Sequence, residues 1–167
     1  MLSKKMEELL SEQLNIEFYS AYAYLSMSAY CRSISMNGCA KWLYAQAQEE
    51  VVHAMKFYDF ISDRHGTLNL LPIKQPKAGF SSLLDVFEQA LGHEKHVTAQ
   101  INEIVGAALS ESDHTSHAFL QWFLTEQIEE EATVGDIVES MKLVKDSGQG
   151  KLMLDRELGT RTFPSPT

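Results

Sequence analysis

The chain has 167 residues, which at roughly 150 residues per domain predicts one domain with a sizeable core. Its 14 basic and 23 acidic residues give a formal net charge of −9, which disfavours binding to nucleic-acid phosphates and to anionic membranes. No apolar run approaches the roughly eighteen residues of a membrane span, and the first residues lack a secretory signal. We interpret Cys31 and Cys39 as buried or reduced thiols and expect a cytoplasmic protein.

Four long stretches carry apolar residues at steps of three and four, the spacing of one face of an α-helix. Ser82 and Asp85 have the spacing of a capping box at the start of the third stretch. A tail containing Pro164 and Pro166 predicts a loose chain end. The predicted helices cover about residues 3–33, 38–65, 82–109 and 113–146, with a weaker fifth helix over about 150–158.

The connections between these helices predict the topology. Short loops around 34–37 and 110–112 make the first two helices one antiparallel hairpin and the last two another. The segment 66–81 is long enough to span about 50 Å, whereas a helix of thirty residues is about 45 Å long. We therefore predict an all-α four-helix bundle with one long crossover between helices two and three.

Polar residues interrupt the apolar stripe of every long helix. These residues are Glu17 on the first helix, Glu50 and His53 on the second, Glu94 on the third, and Glu126 and Glu130 on the fourth, with Gln127 and Glu129 beside them. Residues equidistant from an antiparallel turn lie at equal heights. The polar groups of all four helices therefore meet at one level near the middle of the bundle.

No Lys or Arg lies in the inward stripes, so a cation that pairs with these carboxylates must come from outside the chain. Glu50 and His53 lie one helical turn apart, and oxygen-rich sites with one imidazole suit iron, manganese or zinc. A single buried Glu such as Glu17, taken alone, is as often a register-setting polar residue or half of an ion pair. The four-helix set predicts a dinuclear metal site.

The chain resembles the ferritins, and more closely the bacterial non-haem ferritins, from the first helix through the short fifth helix. The residues that carry the resemblance are Glu17, Tyr24, Glu49–His53, Glu94 and Glu126–Glu130. This resemblance implies a ferritin-like fold and a cage of twenty-four identical subunits. It also implies ferroxidase activity, in which Fe(II) is oxidised by O₂ or hydrogen peroxide and Fe(III) is stored as mineral.

The resemblance also implies roles for individual residues. Glu17, Glu50 and His53 would hold the first iron. Glu94 and Glu130 would hold the second, with Glu50 bridging and Gln127 alongside. Glu49, Glu126, Glu129 and again Glu130 match a third, accessory iron site. Tyr24 matches an electron-donating aromatic beside the centre, and we interpret Trp122, which also matches an aromatic there, as a core residue.

Departures from related families narrow the prediction. Val51 stands where bacterioferritins carry a haem-ligating methionine, so we expect no haem. His117 and Leu120 replace the channel acids of animal ferritins, so we do not expect that channel. Two other functions stay open, an oxidase of an organic substrate and a metal-stabilised structural or DNA-protecting bundle, although the net charge speaks against DNA protection.

Two histidine pairs at one-turn spacing, His93 with His96 and His114 with His117, are weaker candidates for surface metal binding. Glu131 is turned away from the inward stripe of the fourth helix, so we expect its side chain in solvent.

Overall fold

A computed structural model describes residues 2–162 and shows five helices. Within this range there are no strands, and no helix is long and apolar enough to cross a membrane. The predicted fold class is confirmed, and each boundary lies within two residues of its predicted position. The proline-containing tail lies outside the described residues. The helices are α1 (Lys4–Ser33), α2 (Asn37–Asp63), α3 (Leu83–Ser110), α4 (His114–Val144) and α5 (Gly148–Leu158).

Side-chain caps explain where α3 and α4 begin. The Ser82 hydroxyl accepts from the Asp85 backbone N–H at 3.0 Å, and the Asp113 carboxylate accepts from the backbone N–H of Ser116 at 3.1 Å. The predicted capping box forms only in part. The Asp85 carboxylate accepts from the N–H of Ser81, one residue before the cap, at 2.8 Å. Asp is one carbon shorter than the Glu of a capping box.

The crossover between α2 and α3 runs along α1. Near the middle of α1, the Asn15 side chain accepts from the backbone N–H of Leu71 at 2.9 Å. Closer to the C-terminal end of α1, the Ser26 hydroxyl donates to the backbone carbonyl of Lys77 at 2.7 Å. Because the crossover travels the length of α1, which is antiparallel to α2, α3 begins at the far end of the bundle and runs parallel to α2.

The apolar core consists of two clusters, one towards each end of the bundle. On α3, Glu94 lies between Ala90 of one cluster and Val97 of the other. The polar residues of the other three long helices fall in the same gap. Two tightly packed apolar layers therefore hold a polar layer between them and fix the separation of its helices.

The short helix α5 packs against the start of α2. A Cβ atom added to Gly38 would lie 1.6 Å from the backbone oxygen of Asp155, so only glycine allows this approach. The backbone N–H of Cys39 donates to the Asp155 carboxylate at 2.9 Å, and Lys41 donates to the carbonyl of Gly159 at 2.9 Å. Backbone contact and hydrogen bonds together hold α5 and Gly159 against α2.

Both cysteines are free and buried beside this contact, as expected. Burial, followed by the charge of Asp155, raises the pKa of the Cys31 thiol to about 12. The thiol is therefore protonated and a poor nucleophile at neutral pH.

We predict that Gly38→Ala lowers stability by about 1–3 kcal/mol, because the added methyl group displaces α5 from α2. Gly106→Ala is the matched control, since nothing lies within 4 Å of a Cβ at this exposed position of α3. It should raise stability by up to about 1 kcal/mol through helix propensity. Chemical denaturation of both variants measures the difference, and equal effects would show that the contact between α2 and α5 is not tight.

Candidate metal centre

One imidazole and two carboxylates meet in the polar layer. Glu17, Glu50 and His53 each place a ligand atom within 4.8 Å of the others. The three residues are only 1%, 3% and 5% exposed, respectively. Glu50 and His53 lie one turn apart on α2, and His53 Nδ1 is 3.4 Å from Glu50 Oε2. The first predicted ligand set is therefore brought together as a group of donors that could hold a divalent cation.

A second group lies on α3 and α4. Glu94, Gln127 and Glu130 are all buried. Gln127 Nε2 donates to Glu94 Oε2 and to the Glu94 backbone carbonyl, both at 3.2 Å. The Tyr24 hydroxyl on α1 donates to Glu94 Oε1, and this bond links the two halves of the bundle. Glu94 is thus held in one orientation from both sides.

Two buried glutamines support these carboxylates and were missed by the sequence analysis. Gln13 Nε2 donates to Glu17 Oε1 at 2.8 Å, and Gln46 Nε2 donates to Glu130 Oε2 at 2.7 Å. Each lies one helical turn before a predicted ligand, Gln13 before Glu17 and Gln46 before Glu50. That spacing was the available signal, but an uncharged amide gives no reason to expect a metal.

Three oxygen atoms in this layer, on Glu17, Gln13 and Gln46, are buried without a hydrogen-bond partner in the described part of the chain. Buried acceptors almost always have a partner, so such atoms call for an explanation. No Lys or Arg side chain is buried within residues 2–162. Carboxylate oxygens and one imidazole are ligands suited to iron, and the unpartnered Glu17 oxygen fits a missing cation.

Burial raises the pKa of every carboxyl in the layer. Burial, followed by the charge of Glu50, raises the pKa of Glu17 to about 8. Burial, followed by the charges of Glu94 and Glu130, raises the pKa of Glu50 well above its usual range. Burial raises the pKa of Glu94 to about 6, and burial with the charge of Glu94 raises that of Glu130 to about 7. Without a cation, the layer therefore holds protons at neutral pH.

The acids of the predicted accessory site are more exposed. Glu49 and Glu126 are partly buried and Glu129 is exposed. The sequence pattern predicts Glu126 and Glu130 at the centre of the α4 stripe, but the structure places Gln127 and Glu130 inward. The placement of Glu126 is corrected because the buried row of α4 runs through Phe123, Gln127 and Glu130 at steps of four and three.

Trp122 is 40% exposed, so its interpretation as a core aromatic is wrong. Its ring packs edge-on against His53 with centroids 5.3 Å apart, and the Lys56 ammonium lies 4.2 Å from the centre of its ring. Trp122 therefore covers the imidazole at the edge of the bundle and limits the orientations that His53 can adopt.

Glu131 is not left to solvent, because its carboxylate accepts from the Thr98 hydroxyl at 2.6 Å and its side chain is partly buried. His93 Nε2 lies 2.6 Å from the Ser20 hydroxyl oxygen. Within residues 2–162, none of His93, His96, His114 and His117 belongs to a group of three metal-binding side chains.

The raised pKa of Glu17 predicts a pH-dependent stability of the metal-free protein. The folded chain holds a proton on Glu17 between pH 4.5 and about 8, whereas the unfolded chain has lost it above pH 4.5. The Glu17 contribution to stability therefore falls as the pH rises through this window. Glu17→Gln should be increasingly more stable than wild type from pH 5 to 8, by roughly 1–3 kcal/mol at the upper end.

Glu12→Gln provides the control, because it removes the same charge at an exposed position of α1. Denaturation of chelator-treated protein at several pH values measures both variants. A Glu17→Gln variant that is less stable than wild type at pH 8 would show instead that Glu17 is half of a stabilising ion pair.

Comparison with known proteins identifies the family of this chain. A family model described as a ferritin-like domain matches residues 7–144. Bacterial non-haem ferritins from Campylobacter jejuni and Staphylococcus aureus are 42% and 37% identical, and the matches cover 93% and 98% of each chain. An open-pore ferritin from the archaeon Archaeoglobus fulgidus superposes with a TM-score of 0.96 at 44% identity, over 97% of this chain and 100% of that one. The chain belongs to the ferritin family of iron-storage proteins.

Proposed function

We propose that this ferritin is a ferroxidase that binds Fe(II) as its substrate in the polar layer and stores the Fe(III) product. The observation that carries the proposal is a set of buried carboxylates and one imidazole from four helices with no buried Lys or Arg among residues 2–162. Fe(II) would supply the missing positive charge. Iron binding would release the protons that the carboxyls hold, because a ligand must be deprotonated to coordinate a metal.

Glu17, Glu50 and His53 bind the first iron in this account, and Glu94 and Glu130 bind the second. Glu50 bridges them, and its position supports this role. It belongs to the group with Glu17 and His53, and its pKa is raised also by the charges of Glu94 and Glu130. Gln127 orients Glu94 through its amide and lies beside the second iron.

The ligand chemistry favours oxidation and release. Hard carboxylate oxygens favour Fe(III) over Fe(II), so the layer stabilises the oxidised product. Two Fe(II) ions supply two electrons to O₂ or to hydrogen peroxide. The Tyr24 hydroxyl donates to Glu94 within this layer, and this contact supports the proposal that Tyr24 is an additional electron donor. A single imidazole among many carboxylates suits a site that passes its iron on.

We further propose a homo-24-mer of about 450 kDa that encloses the mineral, the assembly that the resemblance to ferritins implies. We also propose that the protein is cytoplasmic and that it binds no haem, nucleic acid or membrane. An oxidase of an organic substrate would need a cavity at the metal site. Among residues 2–162, surface cavities of 310–490 Å³ include one beside Trp122, and none of these cavities is lined by Glu17, Glu50 or Glu94.

His53→Ala should lower the initial rate of Fe(II) oxidation by more than about tenfold, because it removes the only imidazole of the first site. Glu17→Ala and Glu50→Ala should do the same. Stopped-flow absorbance of the ferric product measures the rate. His114→Ala, at an exposed position of α4, is the control and should oxidise iron as wild type does. Size-exclusion chromatography should show the particle of about 450 kDa for all of them.

Unchanged initial rates in His53→Ala would remove the first site from this account. A monomer or dimer in wild-type protein would contradict storage in a cage.

The accessory acids predict a separate phenotype. Replacing Glu49, Glu126 and Glu129 together by Ala should leave the first fast oxidation of about two irons per subunit largely intact, because the dinuclear ligands remain. The Fe-to-O₂ ratio and the oxidation rate of a second iron addition should change. Glu130→Ala should impair the first phase as well, since it also removes a ligand of the second iron.

Oximetry with repeated Fe(II) additions measures these quantities. A triple variant that loses the first phase as completely as His53→Ala would contradict the division between core and accessory sites. Wild-type behaviour through every addition would show that these three acids form a solvated face.

A further inference from the structure

Arg161 lies three residues beyond the end of α5 and places its positively charged guanidinium at the outer side of the polar layer. Its guanidinium donates to the carboxylate of Glu49 on α2. The same group lies over the ring of Trp42, with the guanidinium carbon 4.5 Å from the ring centre. Both side chains of the ion pair are only about one-quarter exposed, at 24% and 25%. The pair is therefore partly shielded from solvent.

The position of Arg161 is set by the packing of α5. The hydrogen bond from Cys39 to Asp155 and that from Lys41 to Gly159 attach the helix and the residue after it to α2. Only Thr160 separates Gly159 from Arg161, so the attachment of Gly159 to α2 keeps the guanidinium close to Glu49. A guanidinium on an unattached chain would lose more conformational freedom on forming the ion pair. Such preorganisation lowers the entropy that the ion pair must overcome.

The guanidinium is not fully satisfied where it lies. Its Nη1 atom is buried and has no hydrogen-bond partner among residues 2–162. An unpaired buried donor costs free energy. The ion pair with Glu49 and the contact with Trp42 hold the guanidinium there despite this cost, so a stronger cation for Glu49 could displace it.

Glu49 is close to the rest of the layer. It follows Gln46 by one turn and precedes Glu50 directly, and Gln46 Nε2 donates to Glu130 Oε2 at 2.7 Å. A divalent cation held by Glu49 and Glu130 would therefore compete with Arg161 for the same carboxylate.

We propose that Arg161 occupies the cation position of Glu49 and that a metal ion binds the accessory acids only by displacing this guanidinium. The inference rests on the proposed function, because it concerns the accessory site of that account. Arg161 is a positioning residue that weakens the accessory site relative to the dinuclear site. Iron therefore fills the buried dinuclear site first.

The test is calorimetric titration of Zn(II), which has no redox chemistry, into the metal-free, assembled protein. Wild type should show a tight stage of two metals per subunit and a weaker accessory stage. Arg161→Gln should tighten the weaker stage by about three- to tenfold, the effect expected from losing an ion pair and a cation–π contact. The tight stage should be unchanged.

Three further variants separate competition from a structural role. Arg156→Gln removes the same charge at an exposed position of α5 and should bind Zn(II) as wild type does. Arg161→Lys keeps the charge and should show a smaller gain than Arg161→Gln. Adding Glu49→Gln to Arg161→Gln should abolish the gain. If Arg161 served only to hold α5, Arg161→Lys and Arg161→Gln would change the accessory stage equally, and the inference would be wrong.

An unchanged or absent accessory stage in Arg161→Gln, with an intact tight stage, would overturn this inference alone. An equal gain in Arg156→Gln would also overturn it, because a general charge effect would then explain the result. Absence of the tight stage from wild-type protein would contradict the proposed function itself.

Discussion

The fold of this protein is organised around carboxylates that are buried together without a cation of the chain to neutralise them. The four carboxylates come from four different helices: Glu17, Glu50, Glu94 and Glu130. When ionised, each is less stable beside the other negative charges than it would be in water. Protons satisfy this constraint in the metal-free protein, as the raised pKa values show. Two divalent cations would satisfy it more completely, because each would face several oxygens at once.

The remaining structure keeps this layer in place. Apolar clusters above and below it supply the packing that the polar residues do not, and they set the spacing between helices. Gln13, Gln46 and Gln127 each donate to a carboxylate and restrict its orientation without adding positive charge. A cationic partner in those positions would form an ion pair and leave no need for a metal. Neutral donors therefore orient the layer and leave its charge unbalanced.

Periodicity and loop lengths were enough to predict the bundle, because helical spacing, two short turns and one long crossover allow few topologies. The inward acids followed from the same pattern. The predicted rotation of α4 about its axis was wrong by one residue. The prediction pointed Glu126 into the bundle, where the structure places Gln127. The contact between Arg161 and Glu49 could not be predicted, since it joins residues 112 apart through the docking of a short helix. Trp122 was predicted to be a core residue but is 40% exposed. Apolar periodicity identifies the apolar face of a helix but does not show how much of that face a neighbouring helix covers.

The most direct test of the central claim is anomalous X-ray scattering at the iron edge from crystals soaked with Fe(II) without oxygen. The account predicts two iron peaks per subunit within the bundle, about 3.5–4 Å apart. Glu17 and His53 should contact one, Glu94 and Glu130 the other, and Glu50 both. Iron confined to the surface, with the buried carboxylates unchanged in position, would contradict the account.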